Sequence, residues 1–261
     1  MDAVRESAGL IGAIEVYYDA VPRAASTVEH VGPFTLFVGR GPWGYYAPPT
    51  LGTTTAFTSG HVAEVRARQR ELGVGQEIEW QQSLSPSLTT ACAEAGLVVH
   101  RYRLLVLHHT VAVPTPGAVR IVSPQDDLTT VVRAQQQGFG GSGAVDPAEV
   151  EHLRGRLGSA ATVAAVGLVD GDPVCVGMHQ PVGQVSEVVG VATLPEHRGA
   201  GWAGAVTSAL VADARARGVT TVFLSAADDA VARVYERVGF RDVGVACAAE
   251  PASGAGEAAN R

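Results

Sequence analysis

The chain has 261 residues and a mass of 26.9 kDa, room for one large domain or two small ones. Apolar residues make up 46% and charged residues 17%, a balance that excludes wholesale disorder. A net charge of −7 with 19 basic residues, all arginine, argues against a general nucleic-acid binder, and no apolar run reaches the ~18–20 residues of a membrane helix.

The N-terminus, MDAVRESAGL, has no apolar core of a secretory signal, and its first ten residues read as loose. Strands are expected at 34–38 and 45–47 around a Gly/Pro turn, where Trp43, Tyr45 and Tyr46 cluster. A helix over 61–72 ends at Gly73, a strand covers 77–80, a helix over 87–95 ends at Gly96, and a strand covers 97–107. Pro114-Thr-Pro-Gly117 reads as a linker.

Beyond it the pattern predicts a strand at 119–122 and helices over 126–137 and 147–157, the second with Asp146 as N-cap and Pro147 in its first turn. A strand at 162–169 turns through Asp170-Gly171 into 174–179, and a long strand follows at 185–194. A helix runs from about 201 to 217 and stops at Gly218; a strand covers 221–225, a helix 229–238 ends at Gly239, and a last strand covers 240–246. Residues 249–261 are small and polar and read as a disordered tail. The strands and helices predict a mixed α/β (α+β) fold in two domains, 11–112 and 118–248. Helix-Gly-strand-helix-Gly-strand occurs in both, which suggests a duplicated module with an eroded first copy.

Cys92, Cys175 and Cys247 are an odd, widely spaced set without CxxC, fitting reduced thiols of a cytoplasmic protein. His108-His109 and the Cys175/His179 pair lack the further ligands of a closed zinc site, so no metal is expected.

The informative stretch is Thr193-Leu-Pro-Glu-His-Arg-Gly-Ala-Gly-Trp-Ala203, between a strand and a helix. Gly199 and Gly201 permit a tight turn. The unpaired N–H groups of Arg198, Gly199, Ala200, Gly201, Trp202 and Ala203 converge with the positive end of the helix dipole, an anion site suited to a diphosphate, to which Arg198 can add a charge. There is no GK[ST], and the spacing is not GxGxxG. Arg70-Glu-Leu-Gly73-Val-Gly75 has similar spacing but closes a helix, so its N–H groups point the wrong way.

Arg198-Gly-Ala-Gly201-Trp-Ala203, followed by Asp228-Asp-Ala-Val-Ala-Arg-Val-Tyr235-Glu-Arg-Val-Gly239-Phe240, resembles the paired motifs of the GNAT superfamily of acyl-CoA-dependent N-acyltransferases. The resemblance covers about 118–248 and implies a mixed central sheet flanked by helices, with a degenerate GNAT-like half before it. It implies acetyl-CoA as co-substrate: residues 198–203 at the diphosphate, the backbone of Val191, Ala192 and Thr193 along the pantetheine arm, Asp228 near it, and Tyr235 as the acid that protonates the leaving thiolate. A strand N–H near Val191 can bind the oxyanion.

Tyr235 shares an apolar helix face with Val231, Val234 and Val238, which equally suits a core tyrosine. In an unbroken strand 185, 187, 189, 191 and 193 share a face, making Glu187 a lone carboxylate among valines: either a general base or a solvated rim residue. His179 is a second base candidate. Asp228, where the family often has Asn, suits an N-cap equally well, and Trp202 either packs beneath the cofactor or staples its helix to the sheet. In the first copy Cys92 stands where Tyr235 stands in the second, so that half is expected not to bind CoA. The acceptor is read as a small-molecule, peptide or protein amine, with no nucleic-acid or membrane partner and a homodimer compatible with the fold. The alternative is a non-catalytic CoA-binding regulatory module.

Overall fold

The computed structural model describes residues 2–39 and 46–252, with side chains from residue 9 onward. The chain divides into two compact units, one holding the chain up to Leu104 and again from Val243, the other Leu105–Asp242.

The first unit opens with α1 (Asp2–Arg23). The expected loose start is therefore helical: Ile11, Ile14 and Tyr17, three residues apart, bury one face. β1 (Ser26–Val31) and β2 (Phe34–Gly39) form an antiparallel hairpin through Gly32. This replaces the expected pairing of 34–38 with 45–47; Trp43 and Tyr45 lie outside the described residues, and Tyr46 and Ala47 are not in a strand. α2 (Ser59–Leu72) starts with a capping box between Thr58 and His61 and ends at Gly73 in the left-handed conformation. β3 (Ile78–Gln81), α3 (Leu88–Glu94) and β4 (Leu97–Leu107) follow. Phe34, Leu36, Val62, Val65, Ile78, Trp80, Leu88 and Cys92 share its core.

The second unit contains β5 (Ala118–Ile121), α4 (Leu128–Gly138), α5 (Pro147–Gly158), β6 (Val163–Val169), β7 (Asp172–Val182), β8 (Val185–Thr193), α6 (Trp202–Ala216), β9 (Thr221–Ala226) and α7 (Asp229–Glu236). Its strands lie in the order β9-β8-β7-β6-β5, antiparallel except for the parallel β8–β9 pair. Asp146 caps α5 and Asp127 caps α4, each through a backbone N–H two residues on. One sheet face carries α6 over Ala165, Cys175 and Val188; the other carries α4 and α5 over Ala164, Val166 and Val176. The alternation of 164, 165 and 166 between the two cores is the period-two pattern of a strand covered on both faces.

β10 (Phe240–Pro251) begins in the second unit and ends in the first, where Ala246–Ala249 pair antiparallel with Ile78–Gln81. The tail expected from 249 is thus corrected. Ala249 is fully buried, and its pairing partner lies 171 positions upstream, beyond the reach of local pattern. Pro114–Gly117, expected as a linker, lies inside the second unit; the boundary crosses the long strands β4 and β10 instead. No described helix is long and apolar enough to cross a membrane.

Candidate active site

β8 and β9 pair over only three rungs, Val185↔Thr221, Ser186↔Val222 and Glu187↔Phe223. Beyond Glu187 the two strands have no ladder between them, while the other edge of β8 stays paired to β7 as far as Cys175↔Thr193. The result is a seam with main-chain N–H and C=O groups of β8 along one wall.

A bulge sits at this seam. Val189 opposes Met178 and Ala192 opposes Val176, so Gly190 and Val191 together face Gly177. Gly190 has φ +61°, a conformation glycine adopts without strain. The extra residue reverses the alternation. Ser186 and Val188 lie on the α6 side, and past the bulge Val191 also lies there, beside Val206 and Leu210. Glu187, on the opposite face from Ser186, therefore does not share a face with Val191. The expectation for an unbroken strand is corrected, because Gly190 shifts the parity by one.

Past β8 a 3₁₀ turn (Pro195–His197) leads into the glycine turn. Gly199 (φ +78°) and Gly201 (φ +93°) are left-handed, and a Cβ at either would meet nothing within 4 Å. Gly199, Ala200 and Gly201 are exposed. The first bond of α6 runs from the Ala205 N–H to the Gly201 carbonyl, 3.1 Å, and no side chain caps the helix. The N–H groups of Gly199, Ala200, Gly201, Trp202 and Ala203 therefore donate to no protein group among the described residues. They form an open cup at the positive end of a 15-residue helix, where among the described residues nothing stands within 4 Å of a Cβ added at Gly199 or Gly201.

Arg198 does not point into the cup. Its Nη2 donates to the Gly138 carbonyl (2.8 Å) and its Nε to the Thr193 carbonyl (3.2 Å). It therefore ties the last turn of α4 to the end of β8, its cation favourably placed at a helix C-terminus. This corrects the expected charge contact from its side chain. Trp202 is buried, its ring against Gly117 and Gly167, where added Cβ atoms would overlap it. It staples α6 to the sheet, so only its backbone N–H belongs to the cup. Asp228 caps α7 by accepting from the Val231 N–H (2.8 Å).

Tyr235 is 8% exposed, edge-on to Phe240 with ring centroids 6.1 Å apart. Burial, with a smaller contribution from Cys175, holds its pKa well above the usual phenol value. Cys175, which accepts from Thr193 Oγ1 (3.2 Å), is itself pushed up to about 11 by burial. Both groups are neutral near pH 7, which suits a proton donor and not a thiolate nucleophile. Of the expected apolar face of α7, Val231 is 36% exposed while Tyr235 and Val238 are buried.

Glu187 is half-buried. His179 is fully buried on the α6 face, its Nδ1 2.8 Å from Ser186 Oγ and its Nε2 3.0 Å from Asp213 Oδ2, while Asp213 also accepts from Arg217. Burial lowers the His179 pKa, opposed by Asp213. With both ring nitrogens engaged, His179 is a fixed strut and not a base, which corrects that candidate. The sequence reading missed Gln135, whose Nε2 donates to the Gly190 carbonyl (2.9 Å), and the close seat of Gly138 on Ala192. A lone glycine in a valine-rich strand was the available signal for the bulge; nothing marked Gln135.

The strand order, the seam beyond the third parallel rung and the glycine turn opening α6 define the second unit as a GNAT (GCN5-related N-acetyltransferase) fold. Residues 165–248 match the family described as FR47-like protein. Among solved structures the chain is similar to a GCN5-related N-acetyltransferase from Kribbella flavida, at 18% identity and TM-score 0.70, over 94% of this chain and 96% of that one. It is also similar to a GCN5-related N-acetyltransferase-like protein from Streptococcus suis, at 13% identity and TM-score 0.59, over 93% and 98%. A tandem GNAT protein from the clavulanic acid biosynthesis pathway is similar at 15% identity and TM-score 0.52, over 84% and 79%. No curated protein matches the chain.

Proposed function

We propose that the second unit transfers an acetyl group from acetyl-CoA to the amine of a small molecule, peptide or protein. The observation that carries this reading is the open cup of N–H groups from Gly199 to Ala203 at the end of an unpaired strand edge. The cup suits a diphosphate, and the edge of Val191, Ala192 and Thr193 suits the amides of a pantetheine arm. The same fold in other proteins carries the name N-acetyltransferase.

Acetyl-CoA supplies a thioester carbonyl open to attack. The amine nitrogen's lone pair bonds that carbon, the C=O pair moves onto the oxygen, and the Val191 N–H donates a hydrogen bond to the oxyanion. As the C–S bond breaks, its pair leaves on sulfur and Tyr235 hands the thiolate its proton. Glu187, half-buried on the last rung before the seam opens, takes the proton released by the nitrogen through water. The first unit, with Cys92 buried where Tyr235 would stand, is not expected to bind CoA.

Calorimetry with acetyl-CoA followed by a thiol-release assay over a panel of amines tests the reading. Binding with amine-dependent release is expected. Absence of binding at millimolar ligand rejects it, and binding without release for any amine points to a regulatory CoA-binding module.

A further inference from the structure

Gln135 lies three residues before the end of α4, on the turn seated against β8. Its Nε2 donates to the carbonyl of Gly190 at 2.9 Å, and a Cβ on Gly190 would overlap that nitrogen. The contact is local and held from several sides. Three residues on, a Cβ on Gly138 would stand 2.8 Å from the Ala192 Cβ and 3.1 Å from the Thr193 backbone nitrogen. Arg198 locks the same turn by bonding the carbonyls of Gly138 and Thr193. The last turn of α4 thus grips the bulge from one face of the sheet.

A trans peptide sets its C=O and N–H antiparallel. The chain has no cis bond among the described residues, so fixing the Gly190 carbonyl toward α4 fixes the Val191 N–H to point the opposite way. A left-handed glycine has little intrinsic preference to hold that plane, since glycine populates more backbone states than any other residue. Something outside the strand must select one state, and Gln135 is the side chain that bonds this carbonyl.

We propose that Gln135 is a positioning residue that holds the Gly190–Val191 peptide so that the Val191 N–H is preset for the oxygen of the acyl carbonyl. This rests on the acyl-transfer reading and adds to it. An oxyanion donor contributes only when its direction is fixed before the charge develops. Loss of the clamp should leave acetyl-CoA affinity, supplied by the cup and the remaining edge of β8, nearly unchanged while the reacting carbonyl loses its polarisation.

Isotope-edited infrared spectroscopy of carbonyl-labelled acetyl-CoA bound to the whole protein tests this without an acceptor. The wild-type thioester stretch is expected below that of free acetyl-CoA. In Gln135→Ala and in the isosteric Gln135→Glu at neutral pH it should return toward the free value, with dissociation constants within about threefold of wild type. The Gln135→Glu variant should regain the shift at acid pH, where its protonated carboxyl donates again. With an amine that the wild type accepts, kcat should fall about tenfold or more while KM for acetyl-CoA holds. An unchanged stretch in both variants overturns the role of Gln135 alone, and a wild-type stretch equal to the free one overturns it together with the Val191 N–H as oxyanion donor. Failure of the wild type to bind acetyl-CoA overturns the underlying reading as well, so the two failures are distinguishable.

Discussion

The ring of Trp202, at the start of α6, lies against the backbone of Gly167 in β6, so closely that a Cβ on the glycine would overlap it. The contact fixes where α6 begins, and with it the direction of the N–H groups in the glycine turn. Gly167→Ala should therefore lower both stability, by about 1–3 kcal/mol for an overpacked core, and acetyl-CoA affinity. Thermal unfolding and calorimetry read the two effects. Adding Trp202→Leu should recover part of the affinity by relieving the overlap. A double variant no better than the single one would show that the indole does not set the turn.

Gly201 is left-handed at φ +93° and borders open space. Gly201→Val is expected to abolish measurable acetyl-CoA binding, since a β-branched residue resists that conformation and its side chain projects into the cup. Circular dichroism should show the fold retained. Wild-type affinity in this variant would remove the cup from the binding site.

Tyr235→Phe should reduce turnover by about 10²–10⁴-fold, the range of a lost general acid, with little change in acetyl-CoA affinity. Because burial raises the phenol's pKa, the wild-type rate should show no alkaline limb from Tyr235 below its ordinary value near ~10. Unchanged turnover in the Phe variant would assign Tyr235 to the core alone.

His179 is held neutral by burial, below its ordinary pKa of ~6.5; Asp213 beside it opposes the shift, and Arg217 behind Asp213 adds to it. Its folded-state pKa is depressed, so the unfolded chain binds the extra proton first as pH falls. The stability it contributes is full above ~6.5 and is lost as pH drops through the folded value. The difference in unfolding free energy between wild type and His179→Gln should shrink over that window. A difference constant from pH ~7 to ~5 would contradict the assignment.

The second unit was legible because its elements carry local signals: Asp146 as a cap, Asp170-Gly171 in the hairpin, Gly218 and Gly239 as left-handed stops. What escaped was set by non-local contact. α1 is punctuated by Gly9 and Gly12, and its burial of Ile14 and Tyr17 depends on the unit around it. The end of β10 is an alanine-rich stretch whose strand partner β3 lies far upstream in sequence. Within the site, the glycine turn was readable because the mechanism lies in consecutive residues. The true partners of Arg198 were not readable: Gly138 is 60 positions away, and a guanidinium beside a glycine turn looks the same whichever way it swings.

The parting of β8 from β9 after Glu187↔Phe223 has a consequence for how this protein tolerates change. A guest lodged in that cleft would bond to peptide groups, which every residue type offers alike. Substitutions along the wall could then accumulate without loss of grip, provided the kink at residue 190 and the two hinge glycines survive. Architecture of this kind can outlast most of its spelling, in keeping with a TM-score of 0.70 at 18% identity.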